Sequence, residues 1–196
     1  MAYRHYETEG LIIGYHNLGE ANRLYQVLTR DFGLVNILAQ GVRRDRSKLR
    51  HHLKNFSFTH LVLVRGREFW RVVGVDDLDL SSLGASKIAL PFLKKISLVL
   101  QRLIHGEEAN PFIYQDLKQA WVLIIGQARP VEEGLVDLEV FILVRLLTQL
   151  GYLAPLAGLA ELVSSPAFSW VEVKNLGRER LSLIKKINQA LELTQL

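Results

Sequence analysis

Cysteine is absent from the 196-residue chain. That excludes disulfides and thiolate metal sites, and with them the framework on which small secreted domains rely. No apolar run is long enough for a bilayer. The longest stretch without a charged residue, Leu146 to Ala160, is broken by Thr148, Gln149, two glycines and Pro155, short of the roughly 20 apolar residues that a spanning helix needs. The start, from Met1 to Glu9, lacks the apolar core of a secretory signal, so a cytosolic protein is expected. Proline is scarce at 5 residues and glycine ordinary at 14, which argues against collagen-like or linker sequence. What is present is 49% hydrophobic and 22% charged, the composition of a chain that folds, with enough length for one large domain or two small ones.

The net charge of +4 says little by itself. Its distribution says more. Between Gly41 and Arg71 stand Arg43, Arg44, Arg46, Lys48, Arg50, Lys54, Arg65, Arg67 and Arg71, opposed only by Asp45 and Glu68. This segment carries seven excess positive charges and the remainder three excess negative ones. A basic segment on a slightly acidic body suits a polyanionic partner.

The first eighty residues carry strand patterns. Gly10 to His16 is apolar with small and aromatic residues, Asn22 to Arg30 alternates, and Asp31-Phe32-Gly33 supplies a turn in which glycine is free to take positive φ. Leu34 to Val42 is a third run. Ser47 to Lys54 sets Leu49 and Leu53 four apart, predicting one or two helical turns with Ser47 as N-cap. Phe56 to Val64 and Phe69 to Val75 are two further runs around Arg65-Gly66-Arg67-Glu68, a hairpin loop. Three strands, a short helix and two strands is the element order of an oligonucleotide/oligosaccharide-binding (OB-fold) barrel. After Asp76, Asp77 and Asp79 the period changes to 3.6. Ile88 to Ile104, Pro111 to Gly126, Val131 to Leu150 and Arg178 to Leu193 read as helices, with Pro155 to Val163 as a possible fifth. Leu138 to Leu147 is apolar nearly all round and belongs at the centre of a helical bundle. The fold class is therefore α+β, with an OB-fold domain at 1–80 and a helical domain at 81–196.

Gly19-Glu20, Arg23, Leu28-Thr29, Phe32-Gly33, Ala39, Gly41-Val42-Arg43, Ser47-Lys48, Leu53 and Phe56, in that order, resemble the amino-terminal signature of the bacterial recombination mediator family RecO. Leu146-Leu147, Leu150-Gly151-Tyr152-Leu153 and Pro155 resemble its second domain. The resemblance implies an OB-fold followed by a helical bundle. It also implies a cytoplasmic, nucleoid-associated protein that binds single- and double-stranded DNA, anneals complementary strands and helps load recombinase onto strands coated by single-strand-binding protein. The implied protein partners are the mediator RecR and the acidic, phenylalanine-ended tail of single-strand-binding protein, for which Arg129, Arg145, Lys118, Lys174 and Arg178 are candidate cationic rim residues. Many members carry two CxxC pairs after the leucine-glycine-tyrosine motif. This chain has none, and its six histidines lack the spacing of a tetrahedral site, so neither zinc nor any other cofactor is expected.

The nine basic residues named above are the candidate DNA-binding set, acting on phosphates by charge and indifferent to sequence. Phe69-Trp70 puts one ring on each face of its strand. Trp70, Phe69 and Tyr25 are the candidate base-stacking residues, with Phe58 a further one, although strand aromatics more often pack a core. No catalytic constellation is present. Asp76, Asp77 and Asp79 lack the companions of a cation loop, Glu132-Glu133 suit a helix start, and the glycines form no phosphate loop. The rival readings are a generic single-strand DNA- or RNA-binding module and a protein-binding adaptor in which the charges are incidental.

Overall fold

The structure, a computed structural model, describes residues 4–78, 89–126, 132–154, 163 and 165–193. The chain divides into two compact units: Met1–Ser86 with Ile104–Tyr114, and Lys87–Leu103 with Gln115–Leu196. The expected boundary between residues 80 and 81 falls outside the described residues.

The first unit is a closed five-stranded barrel in the order β1-β2-β3-β5-β4, with β1 at His5–Leu18, β2 at Asn22–Thr29, β3 at Gly33–Ala39, β4 at Phe58–Arg65 and β5 at Trp70–Asp77. The long β1 pairs antiparallel with β4 through its first half and with β2 through its second. A register shift between Ile12 and Gly14 bends it between the two partners. Gly10 allows the strands to meet there, since a Cβ would lie 2.5 Å from Val27 Cγ1. Closure is completed by a short parallel pairing of β3 with β5, Ile37 opposite Trp70 and Leu38 opposite Arg71. Ile12, Tyr25, Val27, Val35, Ile37, Leu61, Leu63, Trp70 and Val72 fill the interior, so alternate residues of each strand point inward as the two-residue period requires. Gly33 has φ +68° in the β2–β3 turn, as its place in the sequence suggests. The helix between β3 and β4 shrinks to α1, Leu49–His52, and begins at Lys48 with no side-chain cap. The expected Ser47 cap is not made: the N-cap position falls one residue later, on Lys48, and Ser47 N–H closes a turn onto the Arg44 carbonyl at 3.0 Å.

The second unit is helical: α2 at Leu90–Leu103, α3 at Pro111–Ile125 (its first turn belongs to the barrel unit), α4 at Glu132–Gln149, α5 at Trp170–Gly177 and α6 at Arg180–Leu193. The nearly all-apolar α4 packs against α2, α5 and α6 and buries Leu138 and every residue from Val140 to Leu147. The sequence pattern missed α5. It starts with a capping box in which Ser169 and Glu172 satisfy each other's backbone ends. The expected helix over Pro155 to Val163 lies, but for Val163, outside the described residues.

Arg145 is buried on α4, 3% exposed. Its Nε and NH2 donate to Asp116 Oδ2 and Oδ1 at 2.8 and 2.7 Å, and NH2 also donates to the Ser165 carbonyl at 2.7 Å. Gln149 Nε2 donates to Asp116 Oδ2 at 2.8 Å. A fork-to-fork pair of this kind satisfies a charge that the surrounding apolar side chains cannot. Arg145 is therefore not a rim residue of any groove.

Candidate nucleic-acid interface

All nine basic residues of the 41–71 segment are exposed, but the fold separates them into two groups. Arg65 ends β4, Arg67 lies in the β4–β5 loop and Arg71 follows on β5. These three line one open groove of about 720 Å³ together with Phe69, Leu38 on β3 and Leu18 at the end of β1. The groove lies between the end of the β1–β2 hairpin and the β4–β5 loop, the region of an OB barrel where oligonucleotides and oligosaccharides bind.

Arg43, Arg44, Arg46, Lys48, Arg50 and Lys54 sit instead on the connection from β3 through α1. That connection is tied to the β1–β2 turn. Arg43 NH1 donates to the Gly19 carbonyl at 2.8 Å, Arg43 N–H to the Ala21 carbonyl at 3.0 Å, and Gly41 N–H to Asn22 Oδ1 at 2.9 Å. Arg43 is thus anchored next to Leu18, at the edge of the groove. Arg50 has only a loose exposed pair with Asp45 at 3.9 Å, too weak to cancel its charge.

Two of the three candidate stacking rings are core residues. Trp70 is 3% exposed, its ring set edge-on to Tyr6 and tilted against Phe32 at centroid distances of 5.3 and 5.1 Å. Tyr25 is 1% exposed, and burial pushes its hydroxyl above the ordinary tyrosine range against the hydrogen bond from Arg23. Phe58 is likewise buried and packs on Tyr114. None presents a ring face to a base. Phe69, half-buried in the groove wall, is the remaining candidate. The sequence reading passed over Tyr15, 41% exposed on β1, whose ring carries the Arg23 guanidinium at 4.2 Å. Arg23 is held there by Asn17 Oδ1 at 3.3 Å. The signal was available, since Tyr15 lies opposite Tyr25 once the hairpin is set in register.

Residues 1–79 match the family described as "Recombination protein O N terminal". The barrel is therefore similar to the amino-terminal domain of the RecO family. The DNA repair protein RecO of Nocardioides sp. (strain JS614) is 29% identical over 136 residues, which cover 66% of this chain and 51% of that protein. The chain thus spans about half the length of the curated relative it matches.

Of the acidic residues around the barrel, Glu68 lines the groove beside the arginines and makes no ion pair among the described residues, while others are engaged. Asp77 Oδ2 lies 3.1 Å from His52 Nδ1. Asp31 is held below the usual carboxylate range: burial opposes its ionisation, but the 2.7 Å hydrogen bond from Thr8 Oγ1 and the Arg30 guanidinium outweigh it. Asp79 is outside the described residues. In the helical unit, Lys174 and Arg178 are exposed and Lys118 is half-buried, while Arg129 is outside the described residues. Arg178 lines a shallow hollow at the α5–α6 junction with Arg180 and Leu181, the last 82% exposed. Among the described residues no helix is long and apolar enough to cross a membrane.

Proposed function

We propose that this chain is a non-enzymatic recombination mediator in DNA repair, whose barrel binds single- and double-stranded DNA by charge and whose helical unit recruits a protein partner. The observation that carries the reading is the groove in which Arg65, Arg67 and Arg71 converge with Phe69 between the β1–β2 hairpin and the β4–β5 loop of a RecO-family barrel. Arginines along such a groove track phosphates, and a ring beside them gives a base a surface to stack on. The Arg43 to Lys48 connection extends the same charge past the hairpin end. Neutralising two backbones at once lowers the repulsion between them while base edges stay free to pair, which is the physical requirement for annealing.

Loading of recombinase onto strands coated by single-strand-binding protein needs a delivery step. The acidic, phenylalanine-ended tail of that protein requires an apolar seat with a cationic rim. Leu181 on α6 with Arg178 at the α5–α6 junction and Lys174 on α5 supports placing it there, and RecR is the second expected partner. The work of such a protein lies in the cytoplasm on nucleoid DNA.

The test is annealing of complementary oligonucleotides coated by single-strand-binding protein. The native chain should accelerate it, and the variant with Arg43, Arg44, Arg46 and Lys48 changed to glutamate should not. Equal acceleration by both proteins at low salt would remove the basic connection from the account. Salt-sensitive DNA binding separates this reading from a protein adaptor, and annealing separates it from a generic single-strand binder.

A further inference from the structure

Of the three groove arginines, Arg65 alone has a carboxylate partner among the described residues. Its NH1 lies 2.9 Å from Glu107 Oε2. The other oxygen of the same carboxylate, Oε1, accepts from Trp70 Nε1 at 3.0 Å, and the Arg65 guanidinium lies 5.1 Å from the centre of the Trp70 ring. An indole N–H in a buried ring needs an acceptor, so Glu107 is anchored by a core residue. Its backbone is fixed as well. Glu107 belongs to the Ile104–Tyr114 segment of the barrel unit, and the next residue lies so close to the β2–β3 turn that a Cβ on Gly33 would come within 2.3 Å of the Glu108 carbonyl oxygen. Tyr114, at the far end of the segment, donates to Glu9 Oε2 at 3.1 Å.

We propose that Glu107 restrains the groove's affinity for DNA by occupying Arg65, so that the phosphate-binding work falls to Arg67 and Arg71. The proposal rests on the DNA-binding reading of the groove given above. A phosphate approaching Arg65 meets a fixed negative charge that the buried indole keeps from swinging away. An exposed ion pair of this kind adds little stability, whereas its effect on a polyanion in the groove is a full charge. A strand-annealing protein gains from bounded affinity, because it must leave the duplex it has made.

The experiment measures binding of a fluorescent oligo-dT to the full chain across a salt series. Glu107→Gln keeps an oxygen acceptor for the Trp70 indole and removes the charge. One released phosphate contact on a single strand adds about 0.7 to the magnitude of the logarithmic salt slope, which is about a fivefold gain in affinity at 0.1 M salt relative to a 1 M reference. Arg65→Gln in the Glu107→Gln background should abolish the gain. A gain that persists in Arg65→Gln/Glu107→Gln overturns the proposal, because it then does not come from releasing Arg65. Unchanged affinity in a folded Glu107→Gln protein also overturns it. Arg67→Gln/Arg71→Gln is the arm for the underlying reading. If that variant binds like the parent, the groove is not the DNA site; if it binds weakly while Glu107→Gln changes nothing, only the restraint is wrong.

Discussion

Neutralising Arg67 and Arg71 together is the perturbation whose magnitude follows most directly from the groove. Both side chains are exposed on its wall, and neither makes an ion pair among the described residues. Arg67→Gln/Arg71→Gln therefore removes two phosphate contacts without leaving a buried partner unpaired. Each contact contributes about 0.7 to the single-strand salt slope, so the double variant should lose about 1.4 from that slope and bind about 25-fold more weakly at 0.1 M salt. The same substitutions touch no core residue, and surface changes of this kind move stability by about 0.5 kcal/mol or less. The assay is fluorescence anisotropy of labelled oligo-dT titrated at several salt concentrations, with urea denaturation of the same preparations. A weaker affinity with an unchanged slope would refute the reasoning, because the loss would then not come from phosphate neutralisation.

Trp70→Ala should cost about 3–5 kcal/mol in urea unfolding, the scale for emptying a buried large ring, and Trp70→Phe less, since the ring volume largely remains while Glu107 loses its donor. Asp116→Ala should destabilise the helical unit by about 3–5 kcal/mol by removing the carboxylate that balances the buried Arg145 charge; recovery of much of that loss by Asp116→Leu/Arg145→Met is the check on this cause. Because the folded-state pKa of Asp31 is depressed, its contribution is present above the unfolded carboxylate range and lost as pH falls through the folded value. Thr8→Val, which removes a donor to that carboxylate, should therefore destabilise the barrel at neutral pH and less under acid, as read by thermal melts across pH.

The periodicities carried the architecture because each element obeys its own local rule. The strand runs alternate, Gly33 marks its turn, and the apolar circumference of Leu138 to Leu147 puts α4 at the centre of the helices. What escaped was set by distant partners. Alternation puts one of Phe69 and Trp70 inside the barrel; which one follows from the parallel register of Trp70 with Ile37 and from an acceptor at Glu107, far along the chain. Arg145 read as a surface charge, although a lone arginine in a run apolar on every side already signals burial, and only the fold supplies Asp116. The capping box at Ser169 and Glu172 was visible, but α5 is short enough for its aromatic surroundings to mask the period. The basic segment read as a single unit because its charges are close in sequence. The fold inserts β4 between the α1 connection and the β4–β5 loop, leaving one group in the groove and the other anchored at its edge.

Hydrogen–deuterium exchange of the full chain with and without saturating oligo-dT tests the location of the DNA site most directly. Exchange reports the opening of backbone hydrogen bonds segment by segment. Peptides covering the β4–β5 loop, the β1–β2 turn and the Arg43 to Lys48 connection should become protected, while α4 and α6 keep their free-state exchange. Protection confined to the helices, with the 64–71 segment exchanging as it does without DNA, would contradict the account.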